Sequence, residues 1–466
     1  MSKYRIETDS LGEIKVPKEV YWGAQTQRSL KNFAISSIQF PKLFLEALIR
    51  IKRACAKANS ELGEIPSDIA AAIIKAANDV LEKGMWDQFP LDIIQTGSGT
   101  HINMNANEVL AYIASELLGS ERGKKHPVHP NDHVNRGQSS NDIIPTAMYV
   151  SIAVALKTTL FPALYKIATS LEKKAKEFEN IIKVGRTHLQ DAVPITLGQE
   201  FSGYSTQIKA VEHQLMALYP IVCKLPVGGT AVGTGLNAHP DHAPKVCELL
   251  SQELDLDFIP STNRFAQIAA HDELVTISGL LKTLAVALIK IGNDLRWLAS
   301  GPLCGLGEIT IPANEPGSSI MPGKVNPTQA EALIQGCLKV IGNDYTVTMG
   351  GFFGGQLDLN TAKPLMIHCL IESITILSNS MNSFTDRCLV GITANHEHIA
   401  TLVEKSLLLV TALTPRIGYD KAVKLAQQAF KEGKNIREVA LENKILDPEI
   451  LDKALDLSKM VNPHKE

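Results

Sequence analysis

Four short polar segments contain the residues best suited to chemistry on a small molecule. They are Thr96–Thr100 (TGSGT), Gln138–Asp142 (QSSND), Gly185–Gln190 (GRTHLQ) and Gly317–Pro327 (GSSIMPGKVNP). Their hydroxyls and amides, with one histidine and one lysine, are what a small carboxylate ligand requires. Three segments adjoin a predicted long helix, and helix N-termini add positive potential. Each segment alone could be a turn or a cap, and capping is favoured for Ser139, Ser140 and Asn141 on their own.

Two glycine-rich segments do not fit the phosphate-binding patterns that they partly resemble. Gly228–Gly235 (GGTAVGTG) has the spacing of a phosphate loop, but Thr234 stands where a lysine is required. Gly97–Gly99 begins a dinucleotide-binding pattern, but Ile102 takes the place of the third glycine. No strand followed by a helix is predicted around either segment. We therefore interpret both as tight turns between helices.

His129 and His133 are four residues apart, a spacing that could present two metal ligands. Pro130, Asn131 and Asp132 between them favour a turn over a helix, and no third ligand stands at a useful spacing. The seven cysteines are dispersed without a C-x-x-C pair, which indicates reduced core thiols rather than disulfides or a zinc site. The sequence therefore predicts no metal and no cofactor.

The elements that must position the polar segments are predicted to be long helices, because helical periodicity dominates and period-2 alternation is rare. Five runs are expected to be helical: Asn141–Phe178, Thr196–Val222, Arg264–Ser300, Thr328–Val347 and Pro364–Val390. Asn141 is the expected N-cap of the first run, and Pro162 should kink or split that run. Two short helices, Tyr419–Lys431 and Ile436–Asn443, are expected on either side of Gly433.

The predicted fold class is all-α, with three domains. Residues 1–139 would form a mostly helical N-terminal domain, 140–392 an elongated bundle of the five long helices, and 393–466 a small C-terminal helical domain. Several long helices are apolar over more than one face, as in Leu280–Ile291. A thin bundle has too little interior to bury such faces, so we expect helices to pack between subunits. Packing by the terminal segments alone is the alternative.

The composition excludes several classes of function. The net charge is −3 with no block of like charges, so there is no electrostatic footprint for nucleic acid or a membrane surface. Glu7, Asp9 and Glu13 argue against a signal or transit peptide. The most apolar stretch is interrupted by Lys282 and Lys290, so no membrane span is expected. These features predict a soluble, cytoplasmic protein.

Taken together, the segments resemble one enzyme superfamily. GSSIMPGKVNP is similar to the signature of the fumarase–aspartase superfamily, and the likeness runs from WGAQTQRS at Trp22 to IGYDKA at Ile417. Gly323 resembles the fumarases, since aspartases usually have alanine there. TAVGTGLN and TALTPRIGYDKA are also similar to class II fumarases, whereas His188 discriminates weakly. The resemblance implies a hydro-lyase of the tricarboxylic acid cycle that adds water to fumarate in the anti sense, giving (S)-malate.

The resemblance also implies how the reaction is catalysed. Removing the C3 proton of malate places a second negative charge on the neighbouring carboxylate, so this aci-carboxylate must be stabilised, here by Lys324 and Asn326. The base would be Ser318, held as an oxyanion by Lys324, loop amides or a helix dipole. His188 would protonate the departing hydroxide through a water and would be oriented by Glu331. Without the resemblance, Glu331 is better interpreted as a solvated carboxylate on a helix face.

Further positions match the family's contacts to its substrate. They are Ser98, Gly99, Thr100, Ser139, Ser140, Asn141, Thr187, Ser319, Lys324, Val325 and Asn326. A second dicarboxylate site is implied at His129, Pro130, Asn131 and Asp132. Many family members have a basic residue three positions before His129, whereas this chain has His126. The affinity of that second site is therefore not carried over.

The resemblance implies partners as well. The substrate would be a small dicarboxylate, fumarate or malate. A homotetramer with a helical core would combine segments of three subunits in each active site, which agrees with the oligomerisation expected from the apolar helices. Two alternatives stay open: an aspartate ammonia-lyase on the same scaffold, and a non-catalytic helical assembly, which would require a damaged site.

Overall fold

The structure, a computed structural model, describes residues 3–463 and is mainly helical. Its N-terminal part contains strands β1 (Tyr4–Asp9) and β2 (Gly12–Pro17) and helices α1 (Ala24–Asn32), α2 (Lys42–Glu61), α3 (Ser67–Lys83) and α4 (Thr100–Leu117). The two strands form an antiparallel hairpin. α3 ends at Gly84, whose φ of 65° lies in the left-handed region that glycine adopts without steric cost.

The central part contains the five predicted long helical runs. In chain order its helices are α5 (Ser140–Ala155), α6 (Phe161–Glu177), α7 (Leu197–Val222), α8 (His242–Leu254), α9 (Arg264–Ala269), α10 (Asp272–Leu298), α11 (Thr328–Gly354) and α12 (Lys363–Arg387). α5 and α6 are joined by a π-helical turn, Leu156–Leu160, directly before Pro162. Proline lacks the N–H of a regular helical hydrogen bond, so this interruption agrees with the expected break. The all-α fold class is confirmed.

The remaining strands are short. They are β3 (Ile182–Thr187), β4 (Gln190–Thr196), β5 (Lys224–Leu225), β6 (Ile259–Pro260), β7 (Ile309–Thr310), β8 (Gly355–Gln356), β9 (Leu359–Asn360) and β10 (Thr393–Ala394). β3 pairs with β4, β7 with β10, and β8 with β9, all antiparallel, whereas β5 and β6 are parallel. The β3–β4 hairpin was not predicted, and it carries two candidate site residues.

The C-terminal part is built from short helices. They are α13 (His396–Lys405), a 3₁₀ helix (Leu407–Leu413), α14 (Thr414–Ile417), α15 (Tyr419–Glu432), α16 (Ile436–Glu442), α17 (Pro448–Ala454) and α18 (Leu457–Met460). Gly433, with a φ of 66°, separates α15 from α16 as predicted. Leu413, Leu425, Val439 and Leu451 form a buried apolar cluster that holds these helices together.

Two details of the predicted helices are wrong. Asn141 is not the N-cap of α5, because Ser139 is the cap and its side chain accepts a hydrogen bond from the Asn141 N–H. The run Arg264–Ser300 is not one helix, because the chain is extended at Ala270 between α9 and α10. Both errors concern local backbone geometry that periodicity of apolar residues does not report.

The chain divides into two compact units, each made of discontinuous segments. The first unit comprises Met1–Pro162, Val211–Ala285 and Gly336–Ser378, and the second comprises Ala163–Ala210, Val286–Gln335 and Asn379–Glu466. Within the first unit, α2 packs against α3, α5 and α8. Within the second, α13 packs on β3 and the 3₁₀ helix on β4. The division into three consecutive domains stays a prediction.

Two helical runs are long and apolar enough, by length and composition, to cross a membrane. They are Ser140–Glu177 and Asp272–Leu298, with mean hydropathies of 1.5 and 1.9. In their most apolar windows, 67% and 50% of the residues are buried within the chain. Core helices of soluble proteins pass the same test, so these runs are weak support for a membrane span. All seven cysteines are free and all except Cys304 are buried, as expected of reduced core thiols.

Candidate functional site

In the first unit, three predicted hydroxyls form one hydrogen-bonded chain. Ser98 Oγ lies 2.8 Å from Thr100 Oγ1, which lies 2.8 Å from Ser140 Oγ. Ser98 and Ser140 are buried, and Thr100 is half-buried. Gly99 stands just before α4 with a φ of 76°, and a Cβ there would meet Ile144 at 2.9 Å. The starts of α4 and α5 are thereby close enough to present their hydroxyls together.

The first turn of α5 is fixed by a capping box. Ser139 Oγ accepts a hydrogen bond from the Asn141 N–H at 3.2 Å, and Asp142 Oδ1 accepts one from the Ser139 N–H at 2.8 Å. Asn141 Nδ2 donates to the Ala231 carbonyl at 2.8 Å. Capping, the explanation favoured for these residues alone, is therefore present for Ser139. Ser140 instead directs its hydroxyl to Thr100.

Asp142 connects this turn to the glycine-rich segment. Its Oδ2 accepts a hydrogen bond from the Gly228 N–H at 2.9 Å, and the Thr230 N–H also donates to the carboxylate. Burial raises the pKa of Asp142 to about 6, against the opposing effect of these backbone donors.

Gly228, Thr230, Gly233 and Gly235 all have positive φ, so the predicted turns are confirmed. Thr230 was missed by the sequence reasoning. Its φ of 54° is unusual for a β-branched residue, and no sequence signal reports it.

The candidate second site lies on a π-helical turn of the first unit, Pro130–Val134. His129 Nδ1 accepts hydrogen bonds from the Asn131 and Asp132 N–H groups at 3.2 and 3.1 Å. Asn131 and Asp132 are exposed, and with Ser139 they line one open cavity of about 780 Å³. Among residues 3–463, no group of three His, Cys, Asp or Glu side chains is arranged to hold a metal ion.

In the second unit, the segment Gly317–Asn326 is a loop closed by contacts between its ends. The Gly317 N–H donates to the Lys324 carbonyl at 3.0 Å, and Asn326 Nδ2 donates to the Gly317 carbonyl at 2.5 Å. A Cβ on Gly317 would lie 2.2 Å from the Lys324 carbonyl oxygen. The closed loop therefore requires glycine at this position.

Ser318 lies inside this loop with its hydroxyl oxygen turned toward backbone donors. Its Oγ accepts hydrogen bonds from the Ile320 N–H at 3.2 Å and the Met321 N–H at 3.0 Å. Two amide donors on one oxygen favour the deprotonated form of a hydroxyl. Ser319, Lys324 and Val325 are exposed on the same loop, which lines an open cavity of about 400 Å³. Ile320 is 83% exposed, an unusual state for an isoleucine.

Thr187 and His188 lie at the tip of the β3–β4 hairpin, and both are exposed. His188 and Leu189 have φ values of 57° and 59°, the geometry of a two-residue type I′ turn between paired Thr187 and Gln190. Buried Glu308 anchors the hairpin through Arg186 at 2.8 Å and Lys183 at 3.2 Å. His188 is therefore held by a strand hairpin, which was not predicted from the sequence.

Glu331 is half-buried in the first turn of α11. Across the described part of the chain, neither Glu331 nor His188 makes a side-chain hydrogen bond or ion pair. The structure thus gathers Ser98, Thr100, Ser139, Ser140 and Asn141 in the first unit and gathers Ser318, Ser319, Lys324, Val325 and Asn326 on one loop of the second. It does not join His188 to Glu331 within one chain.

Comparison with known proteins gives consistent matches over the whole chain. The family models described as "Lyase" and "Fumarase C C-terminus" match residues 12–342 and 409–462. Fumarate hydratase class II of Thermosynechococcus vestitus is 54% identical over 98% of each chain, and that of Thermus thermophilus is 52% identical over 99% of each. The crystal structure of class II fumarase from Schistosoma mansoni matches with a TM-score of 0.96 and 46% identity, covering 99% of this chain and 100% of that one.

Proposed function

Because the chain belongs to the lyase family that includes the class II fumarases, we propose that it catalyses the reversible hydration of fumarate to (S)-malate. The family resemblance predicted from the polar segments is confirmed by these matches. The substrate is a small dicarboxylate, and the chemistry is that of a hydro-lyase. The residues that carry out each step remain proposals, argued below from the contacts within each unit.

The observation that carries the mechanism is the environment of the Ser318 oxygen. As an alkoxide, Ser318 Oγ removes the C3 proton of malate, and the electron pair of that C–H bond moves into the neighbouring carboxylate. The Ile320 and Met321 amides stabilise the alkoxide before the reaction, so a weak base becomes usable. Lys324 and Asn326 then stabilise the aci-carboxylate, since Asn326 uses one amide hydrogen on Gly317 and keeps a second.

The hydroxide at C2 leaves with a proton supplied through a water by His188, which Glu331 orients. The exposed hairpin tip leaves the imidazole accessible to a water and a ligand. The aci-carboxylate then returns its electron pair to form the C2–C3 double bond. The protonated hydroxide leaves C2 as water, and fumarate is formed. Fumarate hydration follows the same steps in reverse.

The hydroxyl chain of the first unit binds substrate carboxylate oxygens. Ser98, Thr100 and Ser140 can each reorient a hydroxyl hydrogen toward an anion because they are bonded to one another rather than to fixed carbonyls. Asn141, Thr187, Ser319 and Val325 contribute further contacts, and Gly99 allows close approach of the backbone. His129, Pro130, Asn131 and Asp132 form the second dicarboxylate site.

We further propose a cytoplasmic homotetramer in which each active site combines three subunits. The unpartnered His188 and Glu331 side chains support this arrangement. So do large apolar side chains left exposed on α10 and α11: Val286, Trp297 and Tyr345 are 55%, 53% and 68% exposed. The three consecutive domains, 1–139, 140–392 and 393–466, belong to the same proposal, with the central segment forming the tetrameric core.

A substrate assay tests the proposed function. Purified protein receives malate or aspartate in separate reactions, and the ultraviolet absorbance of fumarate is followed. We expect fumarate to form from malate, and malate to form when fumarate is supplied. Fumarate formed from aspartate alone would identify an ammonia-lyase. No turnover of either substrate by a correctly folded protein would indicate a non-catalytic assembly.

A further inference from the structure

Lys52 is a fully buried cation without a carboxylate partner. It lies in the middle of α2 with 0% of its surface exposed, and no ion pair joins it to another described residue. Its Nζ donates instead to two neutral amide oxygens, Asn135 Oδ1 at 3.0 Å and Gln138 Oε1 at 2.8 Å. Burying a charge in this way is costly, and an apolar side chain of similar length would pack at lower cost. Stability alone therefore gives no reason for a lysine here.

The two acceptors of Lys52 lie in the turn that leads directly into Ser139. Asn135 Nδ2 donates to the Gln138 carbonyl at 3.1 Å, and Gln138 Nε2 donates back to the Val134 carbonyl at 3.0 Å. Asn135 Oδ1 also accepts hydrogen bonds from two buried amides of α4, Asn103 and Asn107, at 3.2 and 3.1 Å. The ammonium group thus stands at the centre of a hydrogen-bonded hub between α2, α4 and the 135–138 turn.

The charge of Lys52 also acts on the first turn of α5. Lys52 interacts electrostatically with the buried carboxylate of Asp142, and so does a second buried lysine, Lys363, at the start of α12. Lys363 Nζ is buried without a hydrogen-bond partner among residues 3–463. Each of these lysines adds positive charge beneath the turn when it is protonated. Burial limits its screening by solvent, and the N-terminus of α5 adds to it.

We infer that Lys52 is a positioning residue for substrate capture, which holds the Ser139–Asn141 turn in its binding geometry and supplies positive potential to a bound dicarboxylate. It acts through the turn and does not touch the substrate. This inference rests on the proposed function, because it assigns Lys52 to the carboxylate-binding half of that site.

The test compares Lys52→Met with wild type and with Lys174→Met in the intact protein. Lys174 is a control of similar burial in the second unit, where its Nζ donates to the Ile392 carbonyl at 2.7 Å and pairs with Glu177 at 2.9 Å. For Lys52→Met we expect the KM for fumarate and for malate to rise about tenfold or more, with kcat within about threefold of wild type. Its melting temperature should change little, because relief of the buried charge is offset by the loss of both hydrogen bonds. Lys174→Met should leave both KM values unchanged.

Lys52→Gln separates geometry from charge, because glutamine retains an N–H donor for the hub but carries no charge. We expect its KM to lie between those of wild type and Lys52→Met. If Lys52→Met does not fold, Gln138→Leu, which removes one acceptor of the hub, should still raise KM. Folded variants with wild-type KM, or with kcat and melting temperature falling together at constant KM, would overturn the inference.

Failure of the proposed function is recognised separately. If wild type hydrates no fumarate, that function fails, and the inference is then examined by ligand-induced thermal shift with fumarate as the probe. A shift for wild type that Lys52→Met loses would support Lys52 as a positioning residue for dicarboxylate binding. Equal shifts for the two proteins, or no shift for either, would overturn the inference that Lys52 positions the dicarboxylate-binding turn.

Discussion

The candidate site residues of the first unit and those of the second, called here the first and second halves, are held in different ways. In the first unit, Ser98, Thr100 and Ser140 are held at helix starts, largely buried and bonded to one another. In the second unit, Ser318 and Lys324 belong to a mainly exposed loop whose ends are tied by short-range hydrogen bonds. Rigid elements suit precise binding, whereas a loop can close over a ligand and complete the catalytic geometry. This contrast is the reason why we propose binding for the first half and chemistry for the second.

The lysines of the two units differ in burial in the same way as the hydroxyls. The first unit keeps Lys52 and Lys363 buried, where desolvation lowers the pKa of each to about 7. The second unit exposes Lys324 on the loop. A buried charge exerts a fixed field at close range, whereas solvent and salt screen an exposed one. Substitutions in the first half should therefore change KM, and substitutions in the second should change kcat.

The largest effect is expected for Ser318→Ala. Removing the hydroxyl removes the base, so kcat should fall about 10³-fold or more while KM changes little. Initial rates of fumarate formation from malate measure both constants, and size-exclusion chromatography checks the assembly. Ser319→Ala is the matched control on the same loop, and its kcat should stay within about tenfold of wild type. A Ser318→Ala protein with most of its activity would assign the base elsewhere.

Two glycines of the loop should separate closure from backbone strain. Gly317→Ala places a Cβ against the Lys324 carbonyl, so the loop must open and kcat should fall about 10²-fold. Gly323→Ala meets no atom within 4 Å, and its φ of 80° imposes only the strain of a left-handed alanine. That cost is about 1–2 kcal/mol, which corresponds to about a five- to thirtyfold loss of rate if it falls entirely on the catalytic geometry. Equal losses in the two variants would show that closure at Gly317 is unimportant.

The binding half should respond through KM. In Ser140→Ala, Thr100 loses one of its two hydroxyl partners and the ligand loses a donor, so KM should rise about three- to tenfold with kcat nearly constant. Ser151→Ala is the control, since Ser151 is a buried serine further along α5 that donates to the Met148 carbonyl. Steady-state rates with both substrates measure the effect. A drop in kcat without a rise in KM would contradict the division of labour between the two halves.

The elements of this fold are predictable from sequence to different degrees. The long helices follow from local periodicity, and most of their bounds were found to within a few residues. The exceptions are the run that Ala270 interrupts and α11, which continues to Gly354, beyond the predicted end at Val347. The β3–β4 hairpin was missed because its turn residues, His188 and Leu189, are neither glycine nor asparagine, the usual signals of a type I′ turn. The polar segments identified the loop and both helix starts, because their composition is unusual for any purely structural role.

The supporting residues could not be predicted. Lys52 lies in a stretch with Arg50, Arg53 and Lys57, which reads as an exposed basic helix face. Its burial depends on how α2 packs against α5 and α8, which is decided by contacts distant in sequence. The strained Thr230 turn likewise becomes visible only when Asp142 is seen to hold it. Local sequence patterns therefore indicate the candidate site residues more readily than the residues that support them.

The smallest expected effect concerns the pH dependence of stability in the binding half. Desolvation lowers the pKa of Lys52 to about 7 in the folded chain, below the ordinary value of about 10.4 in the unfolded chain. Between these values the unfolded chain binds more protons, so stability rises with pH, and the full cost of burying the charge is present below about pH 7. Lys52→Met should therefore gain more relative to wild type at pH 6.5 than at pH 9.

Urea unfolding at one protein concentration measures this difference. The midpoint urea concentration should differ by roughly a few tenths of a molar. The neighbouring groups do not reverse the sign. Cys55 and Asp142, whose pKa values burial raises to about 12 and about 6, are present in both proteins, so their own titration largely cancels in the comparison. The contribution of Lys363 is common to both proteins.

Lys57→Met is the control, because Lys57 is exposed on the same helix, and its difference from wild type should be equal at the two pH values. A gain for Lys52→Met that does not change with pH would mean that Lys52 is protonated in the folded chain at both pH values, so its pKa would not be lowered as expected. A gain that already falls at the full slope of about 1.4 kcal/mol per pH unit at pH 6.5 would mean that Lys52 is neutral there, and the positive field assigned to the first unit would then lose one of its two sources.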